Sequence, residues 1–357
     1  MGTWRSIIGA SLLLAGLALL SADPSASFSD PPGTGSGYRQ EAAVLADDPS
    51  PPAETVKLIF IHHSCGSNWL TDGNGNLGLV LRDNNYFVSD TNYGWGPDSI
   101  GDATDIGLWW TWFRGPNSST YVAALYDESD QHSSYSRLAD DPSGENQIVM
   151  FKSCYPNSNL QGDPDDPVPP IGENPLRGQS SGSSYHTVAN AKGIYIDLLD
   201  YFATRQDKLF VVITAPPVQS AAWADNARAF NTWLVEDWLD GYPYYNVAVF
   251  DFYNVLTTNG GSWDTNDLGL ETGNHHRYHN SGTQYVTDQG GNTAAYPNNG
   301  SDDHPSPAGN QKATGEYIDV LNTFYNRWHT PPEPPDNWVY LPSVAKSLIV
   351  NPGHGPN

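Results

Sequence analysis

Residues Val56–Trp69 read VKLIFIHHSCGSNW. The first six, apolar apart from Lys57, form a short continuous run, the pattern of a strand buried on both faces of a parallel sheet. The next eight change character at once. His62, His63 and Ser64 are polar, and Cys65 and Gly66 are small. A strand that ends in a small, polar turn places reactive side chains beyond its carboxyl end, where open α/β sheets carry their sites.

Working outward, four more runs have strand character: Tyr86 to Val88, Gln147 to Phe151 (QIVMF), Lys208 to Thr214 (KLFVVIT) and Tyr245 to Phe252 (YNVAVFDF). Helical periods fall between and after them, over Thr187 to Thr204, Ala221 to Leu239 and Pro307 to Trp328, each with apolar residues three and four apart. Strands alternating with helices predict an α/β domain, a three-layer α/β/α sandwich around a mostly parallel sheet. The loops expected to carry chemistry begin at His62, Asp90, Lys152, Ala215 and Tyr253.

The domain spans about residues 55–329. Before it, residues 1–22 have the form of a signal peptide, with Arg5 as the one early charge and an apolar run from Ile7 to Leu20. That run falls short of the roughly 20 residues of a membrane span. An uncleaved anchor is the alternative, and on either reading the body leaves the cytoplasm. Residues 23–54, rich in Pro, Ser, Gly and Asp, predict a flexible leader. Residues 330–357 form a Pro-rich exit and a short apolar tail.

The chain carries 16 basic and 40 acidic residues, a formal charge of −24. Such a surface repels phosphate backbones and anionic membranes, which argues against nucleic acid and against stable membrane insertion after signal cleavage. The two cysteines, Cys65 and Cys154, lack a matching ligand set for zinc; outside the cytoplasm the same pair can form a disulfide or remain two buried thiols.

Ser64 stands where a nucleophile would. A serine after a strand is also a common helix cap, so the residue needs a partner. Near the other end, Ser301–Asn310 read SDDHPSPAGN. His304, pinned by Pro305 just before the last helix, is a candidate base, and Asp302 and Asp303 beside it are candidate orienting acids.

These two blocks together resemble the SGNH/GDSL hydrolase family, whose nucleophilic serine follows the first strand and whose histidine sits in a DxxHP-like block before the last helix. The resemblance runs from about Val56 to Trp328. It implies an SGNH-hydrolase, flavodoxin-like fold and no cofactor. It also implies an oxyanion hole made by Ser64 N–H, the Gly94 N–H of the SDTNYGWG loop and the side chain of Asn157 in KSCYPNSN, with Asn159 as substitute. The chain departs from the family pattern in three places. HHS stands for GDS, CYPN stands for the glycine-x-asparagine block, and Ser301 occupies the usual acid position, which leaves Asp302 ahead of Asp303 or a backbone carbonyl as orienter.

Tentative substrate contacts are His63, Trp95, Trp109, Asn159 and His276. The WWTWF stretch, Tyr93 with Trp95 near the second-strand loop, and the 12 Trp and 20 Tyr of the chain point to sugar-ring stacking, with core packing as the plainer alternative. The expected activity is that of a secreted or cell-surface esterase acting on O-acyl groups of an acylated glycan. Two other readings stand beside it. One is a non-catalytic glycan-binding protein on a decayed scaffold. The other is a metal-dependent hydrolase using His275, His276 and His279 of NHHRYHN; a metal is not expected on the main reading. A Cys65 thiolate is a rival nucleophile.

Overall fold

The structure is a computed structural model, and it describes residues 47–257 and 302–331 together with the backbone of three short strands between them. The expected signal peptide, most of the leader and the apolar tail lie outside the described residues.

Five strands form one parallel sheet: β1 (Val56–Ile61), β2 (Tyr86–Thr91), β3 (Ile148–Lys152), β4 (Leu209–Ile213) and β5 (Val247–Phe250), in the order β2-β1-β3-β4-β5. All are buried along their length. That is why they read as apolar runs rather than as alternating ones.

Successive side chains of a strand face opposite ways, and the core divides accordingly. Ile59, Ile61, Val149, Phe151, Phe210 and Val212 pack under α3 (Ile106–Phe113), α4 (Ser118–Asp127), α5 (Val188–Phe202) and α6 (Ala224–Glu236). Leu58, Phe60, Ile148, Met150, Val211 and Ile213 pack under α1 (Ser64–Leu70), α2 (Leu77–Asp83), α7 (Phe252–Leu256) and α8 (Pro307–His329). The result is the three-layer sandwich that the sequence predicts. Helices α1 to α4 are shorter than the periodic segments and were not separable from loop in the sequence. None of the described helices is long and apolar enough to cross a membrane.

Two short pairs follow α7. Strands β6 (Arg277–His279) and β7 (Gly282–Gln284) pair antiparallel, as do β8 (Pro297–Asn299) and β9 (Asp302–Pro305).

The end of the expected leader is part of the domain. Asn322 and Asn326 of α8 donate to the carbonyls of Pro49, Asp48 and Ser50, each at 2.9 Å, and Asn85 donates to Pro52 at 2.7 Å. Composition signals flexibility here, but side-chain amides from distant helices satisfy this backbone and fix it.

The topology fixes where a site can form. The chain leaves β1 toward β2 on one side and returns to β3 on the other, so the β1/β3 boundary is the switch point of the sheet. Ile61 pairs with both Thr91 and Phe151, so β1, β2 and β3 end nearly level. Their loops rise beside one another.

Candidate active site

Ser64 is the first residue of α1, immediately above the switch point. The turn that presents it is tight. Gly66 and Ser67 both donate to the His63 carbonyl, and a Cβ on Gly66 would lie 2.3 Å from Cβ of His62. Glycine is required there because the His62 side chain occupies the space.

His304 lies on β9, and its Nε2 is 2.7 Å from Ser64 Oγ. Its Nδ1 is 2.6 Å from Oδ1 of Asp302, and the same oxygen accepts the His304 backbone N–H at 3.0 Å. An ionised carboxylate only accepts, so the imidazole proton belongs on Nδ1 and Nε2 is left to accept from the serine hydroxyl. Serine, base and orienting acid form one hydrogen-bonded relay. Asp303 points elsewhere: its Oδ1 accepts from the Gln219 backbone at 2.9 Å. Of the two acids open to choice in the sequence, Asp302 is the one on the imidazole.

The last helix delivers His304. Ser306 caps α8 by accepting from Gly309, and Pro307 opens the helix. Helix α8 is then bolted to the turn after α1. Trp69 Nε1 donates to Thr314 at 2.9 Å, Thr314 donates to the Gly75 carbonyl at 2.6 Å, and Gln311 donates to the Asn74 carbonyl at 2.8 Å. The Ser64 turn and His304 therefore share one support.

The expected oxyanion donors need correction. Gly94 directs its N–H to Asp102 at 2.8 Å, on an exposed turn with φ of 72°. Asn157 is buried, and its amide donates to Asp105 at 2.7 Å and to the Cys154 carbonyl at 3.3 Å while its oxygen accepts from Ile106 at 2.9 Å. It is a clasp between the β3 loop and the start of α3, with both amide hydrogens spent. Ser64 N–H, in the first turn of α1, meets no acceptor among the described residues. Asn159 is half-buried beside this loop and remains the substitute.

The tentative substrate contacts are also revised. Trp109 is fully buried, donates to Ser153 at 3.0 Å and packs edge-on against Phe151. Trp95 is buried and stacks on Trp112. Both are core residues: the WWTWF segment forms α3, which turns Trp109 toward the sheet, and Trp95, from the loop after β2, packs on Trp112 of the same helix. His63 is half-buried; Nε2 donates to the Gly101 carbonyl at 2.8 Å and Nδ1 accepts from Thr104 at 3.0 Å. It is a neutral strut, its pKa lowered by burial. His276 and the neighbouring His275 lie outside the described residues, and of His279 only the backbone is described. No group of three metal-ligating side chains occurs among the described residues.

Two tyrosines flank the relay instead. Tyr93 is 61 % exposed and stacks on the His63 ring at 3.9 Å between centroids, which leaves its outer face to solvent. Tyr155 stands edge-on to His304 at 5.2 Å. Tyr93 belongs to the aromatic group that the sequence offers for sugar stacking, whereas the loop position of Tyr155 carries no periodic signal by which the sequence could mark it.

Beside the Ser64 turn lies a buried pair whose two members stand in the sequence only as the starts of loops. His62 Nε2 is 3.1 Å from Asp90 Oδ2, both fully buried, and His62 Nδ1 is 2.8 Å from the His63 carbonyl. Asp90 also accepts from the His132 backbone at 2.7 Å and from Tyr135 at 3.1 Å. Burial pushes the Asp90 carboxyl up, but hydrogen bonds from His62, Ser133 and His132 and the charge of His62 bring it below its ordinary value. An acid just past the apolar run Tyr86–Val88 was the available sign of this pair.

Cys65, buried, and Cys154, half-buried, are both free thiols. Burial first, and then Cys154, push the Cys65 thiol well up. A buried protonated thiol is a poor nucleophile, which removes Cys65 as a rival to Ser64.

Comparison with protein-family models, with curated proteins and with solved structures returned no match to this chain.

Proposed function

We propose that the protein is an exported serine esterase of the SGNH/GDSL type, acting on O-acyl esters of an extracellular polysaccharide. The observation that carries this reading is the relay from Ser64 Oγ through His304 to Asp302. Ser64 attacks the ester carbonyl as His304 Nε2 takes its proton, and Asp302 stabilises the imidazolium. The same imidazolium then protonates the leaving sugar oxygen. Water, deprotonated by His304, releases the acid from the acyl-enzyme. Ser64 N–H faces the developing oxyanion.

The glycan part of the reading rests on the surroundings. Tyr93, stacked on His63 beside Ser64, and Tyr155, in ring contact with His304, offer aromatic surfaces near the relay, suited to the apolar face of a sugar ring. The charge of −24 favours a neutral polymer over an anionic one. A decayed, non-catalytic scaffold is disfavoured by the completeness of the relay, since departures from the GDS and DxxH patterns have not broken it.

The test is hydrolysis of 4-nitrophenyl acetate and labelling by a fluorophosphonate, each beside Ser64→Ala. Turnover and labelling that vanish in the variant support the proposal. A wild-type protein that is neither labelled nor active on acetylated glycans overturns it.

A further inference from the structure

The two edges of the central sheet differ. At the β2 edge the Val88 carbonyl accepts from the Tyr135 hydroxyl and from Arg137, each at 3.1 Å, so side chains of another segment close it. The opposite edge is β5, which pairs only with β4 among the described residues. Asn246 and Phe250 turn their carbonyls to β4. Alternation along the strand therefore turns the N–H and C=O of Val247 and Val249 outward.

A groove of about 310 Å³ runs along this edge. Its floor includes Val247 and Val249, one wall is Val235 and Leu239, and the other is Phe324 and Arg327. Val235 and Leu239 belong to the side layer of α6 and pack on the core of one face, whereas Phe324, on α8, packs on the core of the other. The groove thus has the place and the walls of one more strand, covered by a helix layer on each face. A strand so covered reads as a short continuous apolar run. The tail carries one soon after α8, residues 338–341, WVYL, bounded by Asp336 and Asn337 before it and by Pro342 and Ser343 after it. Its four residues match the four of β5.

We propose that residues 338–341 add to the outer edge of β5 as a sixth, antiparallel strand of the sheet. Helix α8 ends beside the starts of the strands, where Trp328 Nε1 donates to the Gln206 carbonyl at 2.9 Å, three residues before β4. From there residues 331–337, PPEPPDN, carry four prolines. At about 3.1 Å per residue an extended stretch of this kind reaches roughly 20 Å, more than the length of β5 at about 13 Å. The chain passes along β5 and runs back beside it. Chirality selects this direction. The steps from β3 to β4 and from β4 to β5 cross one face by α5 and α6, and a further parallel step across the face that carries α8 would be left-handed. The short tether also favours this occupant over a second copy, because it holds the run near the groove at an effective concentration in the millimolar range.

The proposal is independent of the esterase reading. It is tested on the full chain by hydrogen–deuterium exchange with residue-level fragmentation, wild type beside the double variant Val339→Asp, Tyr340→Asp. Successive side chains face opposite helix layers, so the variant sets a carboxylate against each. In the wild type the Val247 and Val249 amides and alternate amides of residues 338–341 should exchange slowly, and in the variant both sets should exchange at least about 10-fold faster. Residues 338–341 exchanging at unfolded-chain rates in the wild type, or Val247 and Val249 equally protected in the variant, would overturn the proposal. Protection that rises with protein concentration alongside a dimer in light scattering would overturn it too, and would give the edge to a second copy. If the variant fails to fold, exchange of residues 338–341 in the monomeric wild type decides alone.

Discussion

Ser64 Oγ and His304 Nε2 lie 2.7 Å apart across 240 positions of chain. The contact exists because α8 carries the histidine back over the β1 end and is fastened there through Thr314 and Gln311. Removal of either partner should abolish ester hydrolysis. By analogy with other serine relays, Ser64→Ala or His304→Ala should cost about 10⁶-fold in kcat, and the double variant little more. Additive losses in the double variant would show that the two residues do not act as a unit.

Asp302→Asn tests the orienting acid. The amide cannot hold the imidazole proton on Nδ1 as a carboxylate does, and kcat should fall about 10⁴-fold with KM little changed. Asp303→Asn, which alters only the contacts to Gln219, should stay within a few-fold of wild type. Equal losses in both variants would reverse the assignment.

Asn157 separates an oxyanion role from a structural one. With both amide hydrogens given to Asp105 and the Cys154 carbonyl, Asn157→Ala should destabilise the fold by about 1–3 kcal/mol through the Asp105 and Ile106 groups left unpaired. Activity of the fraction that remains folded should hardly change. A kcat loss of 10²-fold or more at unchanged melting temperature would restore Asn157 to the oxyanion hole.

The Asp90 carboxyl is lowered in the fold, so its contribution is present above the ordinary aspartate value and is lost as pH falls through the lower folded one. Wild-type stability should therefore drop below about pH 4. His63 is also lowered, by burial, so the unfolded chain takes up a proton first; stability should already begin to fall as pH descends below about 6.5. Denaturant melts of wild type, Asp90→Ala and His63→Phe across pH 3–8 check both windows. Asp90→Ala should lose about 3–5 kcal/mol at neutral pH, since it strands His62 in the core, and should lose the steep acid limb.

Tyr93→Ala should raise KM for an acetylated polysaccharide severalfold and leave 4-nitrophenyl acetate kinetics near wild type, because only the polymer reaches the exposed ring face. Equal effects on both substrates would assign Tyr93 to support of His63 alone.

The sequence by itself determined the sheet. Runs such as VKLIFI and KLFVVIT are buried on both faces, so their hydrophobicity is continuous and legible without knowing their neighbours. It also determined the order of the chemical blocks, with Ser64 beyond β1 and His304 before α8. What it left open depended on direction. Trp95 and Trp109 read equally as sugar platforms or core; the packing of α3 on the sheet turned Trp109 inward, and Trp112 of that helix covers Trp95. Asp302 and Asp303 are neighbours in sequence, yet β9 points one at the imidazole and the other at Gln219. Asn157 looked like a donor until Asp105 and Ile106 claimed its amide. The proximity of His62 to Asp90 arises from the parallel register that ends β1 and β2 level. Composition and spacing record which groups a chain carries; where each side chain points, and which partner satisfies it, is set by contacts between residues far apart in the chain.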